Sequence, residues 1–191
     1  MPGPVGLPDL VAVPITPRLA MRLQLPCAPL LAWGDARLAA ACSVSRALSA
    51  KSLARRVDAE EPSIRRRLRR QVTHGALIET PTGCFLRPVE LQPVGRLYAL
   101  EAKVDDWSAG LGQALRYGSW ADASAAVMGR LPKEPSRAMS QAAELGLGLA
   151  LGPRWLIRPR IRRLELAHRL WASEFVVAAL TGAARTSLST G

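Results

Sequence analysis

Residues 61–89, EPSIRRRLRRQVTHGALIETPTGCFLRPV, decide how the chain is divided. Ile64, Leu68 and Val72 recur at helical spacing, so one stripe of a helix running from Pro62 to about His74 is apolar. Arg65, Arg66, Arg69 and Arg70 fall roughly on the opposite side. Pro62 suits a first helical position, where its missing N–H is not needed, and the acids before it suit a helix N-terminus. Gly75 stops the helix, and ALIET and CFLRPV then read as two short strands around a turn containing Pro81 and Gly83.

Working back from this stretch, Ser49–Val57 reads as a short helix carrying Lys51, Arg55 and Arg56. Asp35 is a candidate N-cap for an earlier helix running to about Leu48. Three helices followed by a two-stranded wing resemble a winged helix-turn-helix domain, over residues 33–88. The resemblance implies double-stranded DNA as partner, with Lys51, Arg55, Arg65, Arg66, Arg69 and Arg70 meeting phosphates and base edges in the major groove. The plainer alternatives are a solvated basic face or a winged helix used for protein contacts. Residues 1–32 contain Pro2, Pro4, Pro8, Pro14, Pro17, Pro26 and Pro29, a density read as an irregular arm with at most a short strand near Leu10–Ile15.

Beyond the wing the pattern changes. Arg96–Val104 reads as a strand, Trp107–Gly118 as a helix capped by Asp105 and Asp106, and Ala123–Met128 as a second strand. Ser136–Leu145 is helical, Gly146–Leu151 and Trp155–Arg158 are strands, and Ile161–Leu180 is a final helix with basic residues at its start and apolar ones at its end. Alternating strands and helices predict a small α/β domain, residues 89–182, with a mixed, mainly parallel sheet. The fold class expected for the whole is thus α+β, and residues 183–191 read as a disordered tail.

Glu101 and Lys103 lie two apart on the strand, so both side chains project from one face. A carboxylate able to hold Mg²⁺ beside an ammonium able to stabilise developing negative charge suits phosphodiester cleavage. The plainer reading is an ion pair with no chemistry. On the following helix Gln113 and Tyr117 are four apart and share a face.

The run 100–127, LEAKVDDWSAGLGQALRYGSWADASAAV, resembles the PD-(D/E)xK nucleases of the RecB type, in which an acid-x-Lys strand precedes a helix bearing Q-x-x-x-Y. The resemblance implies Mg²⁺ dependence and a DNA substrate, with Glu101, Lys103, Gln113 and Tyr117 as catalytic residues. It also implies an Asp after Gly or Pro on the preceding strand. No such Asp occurs between Gly83 and Leu100, and Glu90 is the one acid there that can join Glu101 as a metal ligand. With a two-residue turn at Val94-Gly95, Glu90 would lie opposite Ala99 and on the face of Glu101; with three residues it would face away. A site without the first acid would make the chain a non-catalytic regulator or architectural DNA-binding protein on a degenerate nuclease fold.

The composition agrees with a polyanionic partner: Lys plus Arg number 26 against 15 Asp plus Glu in 191 residues, a net charge of +11. No apolar run approaches the roughly 18 residues that span a bilayer, so no membrane role is expected and a cytoplasmic, nucleoid-associated chain is. The three cysteines, Cys27, Cys42 and Cys84, have neither disulfide-framework nor zinc-site spacing. The segment 144–152, ELGLGLALG, lacks the Lys-Ser/Thr pair of a P-loop. His74 and His168 have no partner at catalytic spacing. The oligomeric state is open, a homodimer included.

Overall fold

The computed structural model describes residues 6–182. In chain order the elements are β1 (Leu10–Ala12), α1 (Pro17–Gln24), α2 (Trp33–Ala41), α3 (Ala50–Arg56), α4 (Glu61–Thr73), β2 (Ile78–Glu79), β3 (Phe85–Leu86) and β4 (Tyr98–Lys103). Then follow α5 (Trp107–Arg116), a 3-10 turn (Tyr117–Ser119), β5 (Ala123–Met128), α6 (Pro135–Leu145), β6 (Gly148–Leu151), β7 (Arg154–Ile157) and α7 (Leu166–Leu180). Among the described residues no helix is long and apolar enough to cross a membrane. Two compact units share these elements. One, the sheet unit, is the chain up to Pro14 with Arg96–Leu164; the other, the helical unit, is Ile15–Gly95 with the chain from Glu165 onward. Both are discontinuous, unlike the consecutive division at residues 88 and 89 expected from the sequence.

In the helical unit, Ile64 and Leu68 of α4 are buried in one core with Leu38 of α2, Leu53 of α3, Phe85 of β3 and Leu170 of α7. Ser49 caps α3 by accepting from the Ser52 N–H at 3.3 Å. Between α3 and α4, Asp58 adopts a left-handed conformation (φ 49°), a position where a short polar side chain is tolerated better than a branched one. Strands β2 and β3 pair antiparallel, Ile78 with Leu86 and Glu79 with Phe85. Leu48, just before α3, forms an antiparallel bridge to Phe85, so a third segment borders the hairpin.

Three expectations are corrected in this unit. Residues 6–32 are not an irregular arm throughout: Pro17 occupies the first position of α1, and Thr16 caps it by accepting from the Leu19 N–H. Helix α2 ends at Ala41, not near Leu48, and Asp35 lies in its first turn rather than at its cap, which is Ala32. Helix α7 starts at Leu166, since 158–165 run outside regular structure, and it shares the helical core and so belongs to the helical unit, not to the domain 89–182 expected.

The sheet unit has the strand order β1-β4-β5-β6-β7. The three central strands are parallel; β1 joins β4 and β7 joins β6 antiparallel, giving the mixed sheet expected. Helices α5 and α6 bury Leu111, Ala114, Ala138 and Ala142 against Ala126, Met128 and Leu149 on one face. Gly110 makes that approach close: a Cβ there would lie 3.1 Å from both Ala126 Cβ and Lys103 Cγ. Gly146 ends α6 in the left-handed conformation (φ 66°), as expected of a glycine after a helix. The tail expected at 183–191 lies outside the described residues.

Candidate functional site

On β4 the side chains of Ala99, Glu101 and Lys103 alternate to the face that α5 covers. Glu101 is 3% exposed, and each of its oxygens has a partner. Lys103 Nζ donates to Oε1 at 2.8 Å, and the Tyr117 hydroxyl donates to Oε2 at 2.7 Å. The hydroxyl also lies 3.0 Å from the Leu7 carbonyl, but its single proton favours the charged acceptor. The bond to Glu101 raises the Lys103 pKa above its ordinary value, so the side chain is an ammonium at neutral pH and serves as a cation, not as a base. Burial, together with the same carboxylate, raises the Tyr117 pKa and keeps the hydroxyl a donor.

Gln113 stands one turn before Tyr117 on α5. Its Oε1 is buried and has no hydrogen-bond partner among the described residues. The acid-x-Lys strand and the Q-x-x-x-Y helix are thus joined through Tyr117 and Glu101, while the Gln113 carbonyl oxygen is left over.

Glu90 does not belong to this site. It lies in a turn after Pro88, outside any strand, and the residue opposite Ala99 is Val11. The reason is that β4 pairs with β1, not with the segment just before it. The pairing ends at Leu10–Leu100, and Asp9, the residue before it, lies in a bend outside the strand. Asp9 is exposed, accepts the Ala102 N–H at 2.8 Å, and acts electrostatically on both Lys103 and Tyr117. Sequence reasoning missed this acid, although Pro8-Asp9 is the dipeptide the resemblance calls for. Its only sequence signal stands some ninety positions from Glu101, before a whole helical unit.

No family model, curated protein or solved structure matches this chain. The chemistry therefore rests on the site's own residues. Among the described residues no cluster of three or more His, Cys, Asp or Glu side chains is placed to hold a metal. Two carboxylates, Asp9 and Glu101, remain, and Mg²⁺ is commonly held by one or two carboxylates with water and substrate oxygens completing the shell. The donor set fits a weakly held, substrate-assisted Mg²⁺ better than a permanent structural ion.

A second candidate lies in the helical unit. Arg65, Arg66, Arg69 and Arg70 of α4 are exposed, as are Lys51 and Arg55 of α3. Their states differ. Arg65 donates to Glu61 at 2.7 Å on its own helix, and Arg70 donates to both oxygens of Asp35 at 2.8 Å. Lys51, Arg55, Arg66 and Arg69 form no hydrogen bond or ion pair among the described residues. They are the cations free to meet an anion without first leaving a carboxylate.

Proposed function

We propose that this chain binds double-stranded DNA through α4 of a winged helix-turn-helix and hydrolyses phosphodiester bonds, with Mg²⁺, in the sheet unit. One observation carries the catalytic part: a buried carboxylate, Glu101, held between an ammonium and a phenol, with Asp9, just before β1, bonded to the next residue of the same strand, Ala102. The DNA-binding part is supported by four free cations on α3 and α4 and by the hairpin that follows. In the reaction a water oxygen adds to phosphorus, the bond from phosphorus to one sugar oxygen breaks, and that oxygen takes up a proton. Asp9 and Glu101 would hold Mg²⁺, which lowers the pKa of a bound water and neutralises phosphate charge. Lys103 adds positive charge where the phosphorane becomes more negative. Tyr117 orients Glu101 through its hydrogen bond.

A second reading, a non-catalytic DNA-binding regulator, is favoured by the same carboxylate, since both its oxygens are already satisfied. Incubating supercoiled and linear DNA with the protein, in Mg²⁺, Mn²⁺ or chelator, separates the two. Metal-dependent cleavage that falls at least about a hundredfold in Lys103→Ala, on the scale of losing one transition-state electrostatic group, supports the nuclease. DNA binding without cleavage in any metal supports the regulator.

A further inference from the structure

The face of the sheet turned away from α5 and α6 carries Tyr98, Leu100 and Ala102 of β4, Val127 of β5, Ala150 of β6 and, paired with Ala150, Trp155 of β7. No helix of the same unit covers it. Trp155 is 39% exposed, and its ring lies over Gly148, where a Cβ would sit 2.8 Å from Trp155 Cζ3 and 2.7 Å from Ala125 Cβ. Only glycine lets the indole lie this close to the strand. Two cavities adjoin this ring. One, of about 440 Å³, is lined by Arg96, Tyr98, Trp155, Arg158, Pro159 and Ile161. The other, of about 330 Å³, is apolar, with Leu100, Val127 and Ala150 in its wall, and reaches Asp9 at the sheet edge. Both fall within the range of small-molecule sites. Arg96 and Arg158 are exposed and form no hydrogen bond or ion pair among the described residues.

We propose that this face binds single-stranded DNA. An exposed indole and a half-buried phenol ring beside unpaired guanidiniums suit a strand whose bases are free: a base stacks on Trp155 or Tyr98 while its phosphates meet Arg96 and Arg158. Duplex does not satisfy the same geometry, because its bases are stacked inside and cannot enter a concavity. Charge favours a polyanion over a neutral peptide or lipid, since two guanidiniums without a carboxylate partner flank the rings. The apolar cavity leads from Trp155 to Asp9 at the sheet edge, while Glu101 lies on the opposite face of the same strand. The inference rests on the proposed function for the choice of DNA, and it names the substrate class as DNA with an unpaired segment.

The test measures binding of the full chain to a labelled oligothymidylate in chelator, so that cleavage plays no part. Trp155→Ala should weaken binding about tenfold, the effect of losing one base–aromatic stack, and Trp155→Phe should restore most of it. Arg96→Ala with Arg158→Ala should lower the slope of log affinity against log salt by about 0.7 for each phosphate no longer neutralised. Arg66→Ala with Arg69→Ala, which addresses the duplex reading, should lower duplex affinity more than oligothymidylate affinity. Should Trp155→Ala unfold by circular dichroism, the surface arginine pair carries the test. Unchanged affinity and slope in the Arg96, Arg158 variant, unchanged affinity in a folded Trp155→Ala, a greater loss of oligothymidylate than of duplex affinity in the α4 variant, or tighter binding of oligouridylate would each overturn the proposal.

Discussion

Arg22 and Glu174 show how one buried pair governs the helical unit. Arg22 is 1% exposed and Glu174 fully buried. The guanidinium donates from Nε to Oε1 at 2.8 Å and from Nη2 to Oε2 at 2.7 Å, while the Leu30 N–H also donates to Oε2 at 2.8 Å. Burial works against the Arg22 charge, but the bonds to Glu174 outweigh it and the pKa is raised. Stability from a group with a raised pKa is complete below its ordinary value and is lost only above the raised one, so alkaline solution short of that range leaves the Arg22 side of the pair intact. Removing one partner strands a buried charge. Arg22→Met should therefore cost about 3–5 kcal/mol in urea unfolding. Adding Glu174→Leu should recover part of this, leaving mainly the Leu30 N–H unpaired at about 1–3 kcal/mol. Equal stability of Arg22→Met and the original chain would mean the pair contributes nothing.

Helix α4 is the element whose chemistry was most legible in the sequence. Its apolar stripe predicted burial of Ile64 and Leu68, and its outward arginines are exposed. The sequence could not tell Arg66 and Arg69 from Arg65 and Arg70, because the partner of Arg70 is Asp35 on another helix. Replacing Arg66 and Arg69 by Ala should therefore flatten the salt dependence of duplex binding by about 0.9 for each phosphate left without its cation. The same change at Arg70 should have less effect on binding and some on stability, since it also frees Asp35. A duplex slope identical to that of the unaltered chain in the Arg66, Arg69 variant would place the DNA grip elsewhere. Elements with a local signature were read well: β5 spans Ala123–Met128 as expected, α3 and α4 lie within a residue, and the hairpin strands fall inside the expected segments but are shorter. Helix α1 was hidden because prolines were counted as breakers, although one after a Thr cap begins a helix. The pairing of β1 with β4 was hidden because register between strands distant in sequence leaves no local trace. The candidate site followed the same rule: Glu101, Lys103 and Tyr117, which are near in sequence, are hydrogen-bonded to one another, whereas the nearness of Asp9 to this strand left no sequence signal.

At the scale of the whole molecule, the segment up to Pro14 belongs to the sheet unit, so one of the two carboxylates proposed to hold Mg²⁺ is supplied from a place in the chain that precedes the entire α1–β3 region. Removing residues 1–14 should abolish metal-dependent cleavage while duplex affinity, carried by α3 and α4, changes little; gel-shift and cleavage assays on the same preparation read both. Persistent cleavage by the shortened chain would exclude Asp9 from the reaction. The alternation of the chain between units also bears on its birth at the ribosome. The first strand must wait, unpaired, until β4 emerges, and the helical core lacks Leu170 and the counter-charge of Arg22 until α7 emerges. Neither half can close during most of synthesis, so nascent chains stalled before residue 166 should be protease-sensitive in both and dependent on holding chaperones.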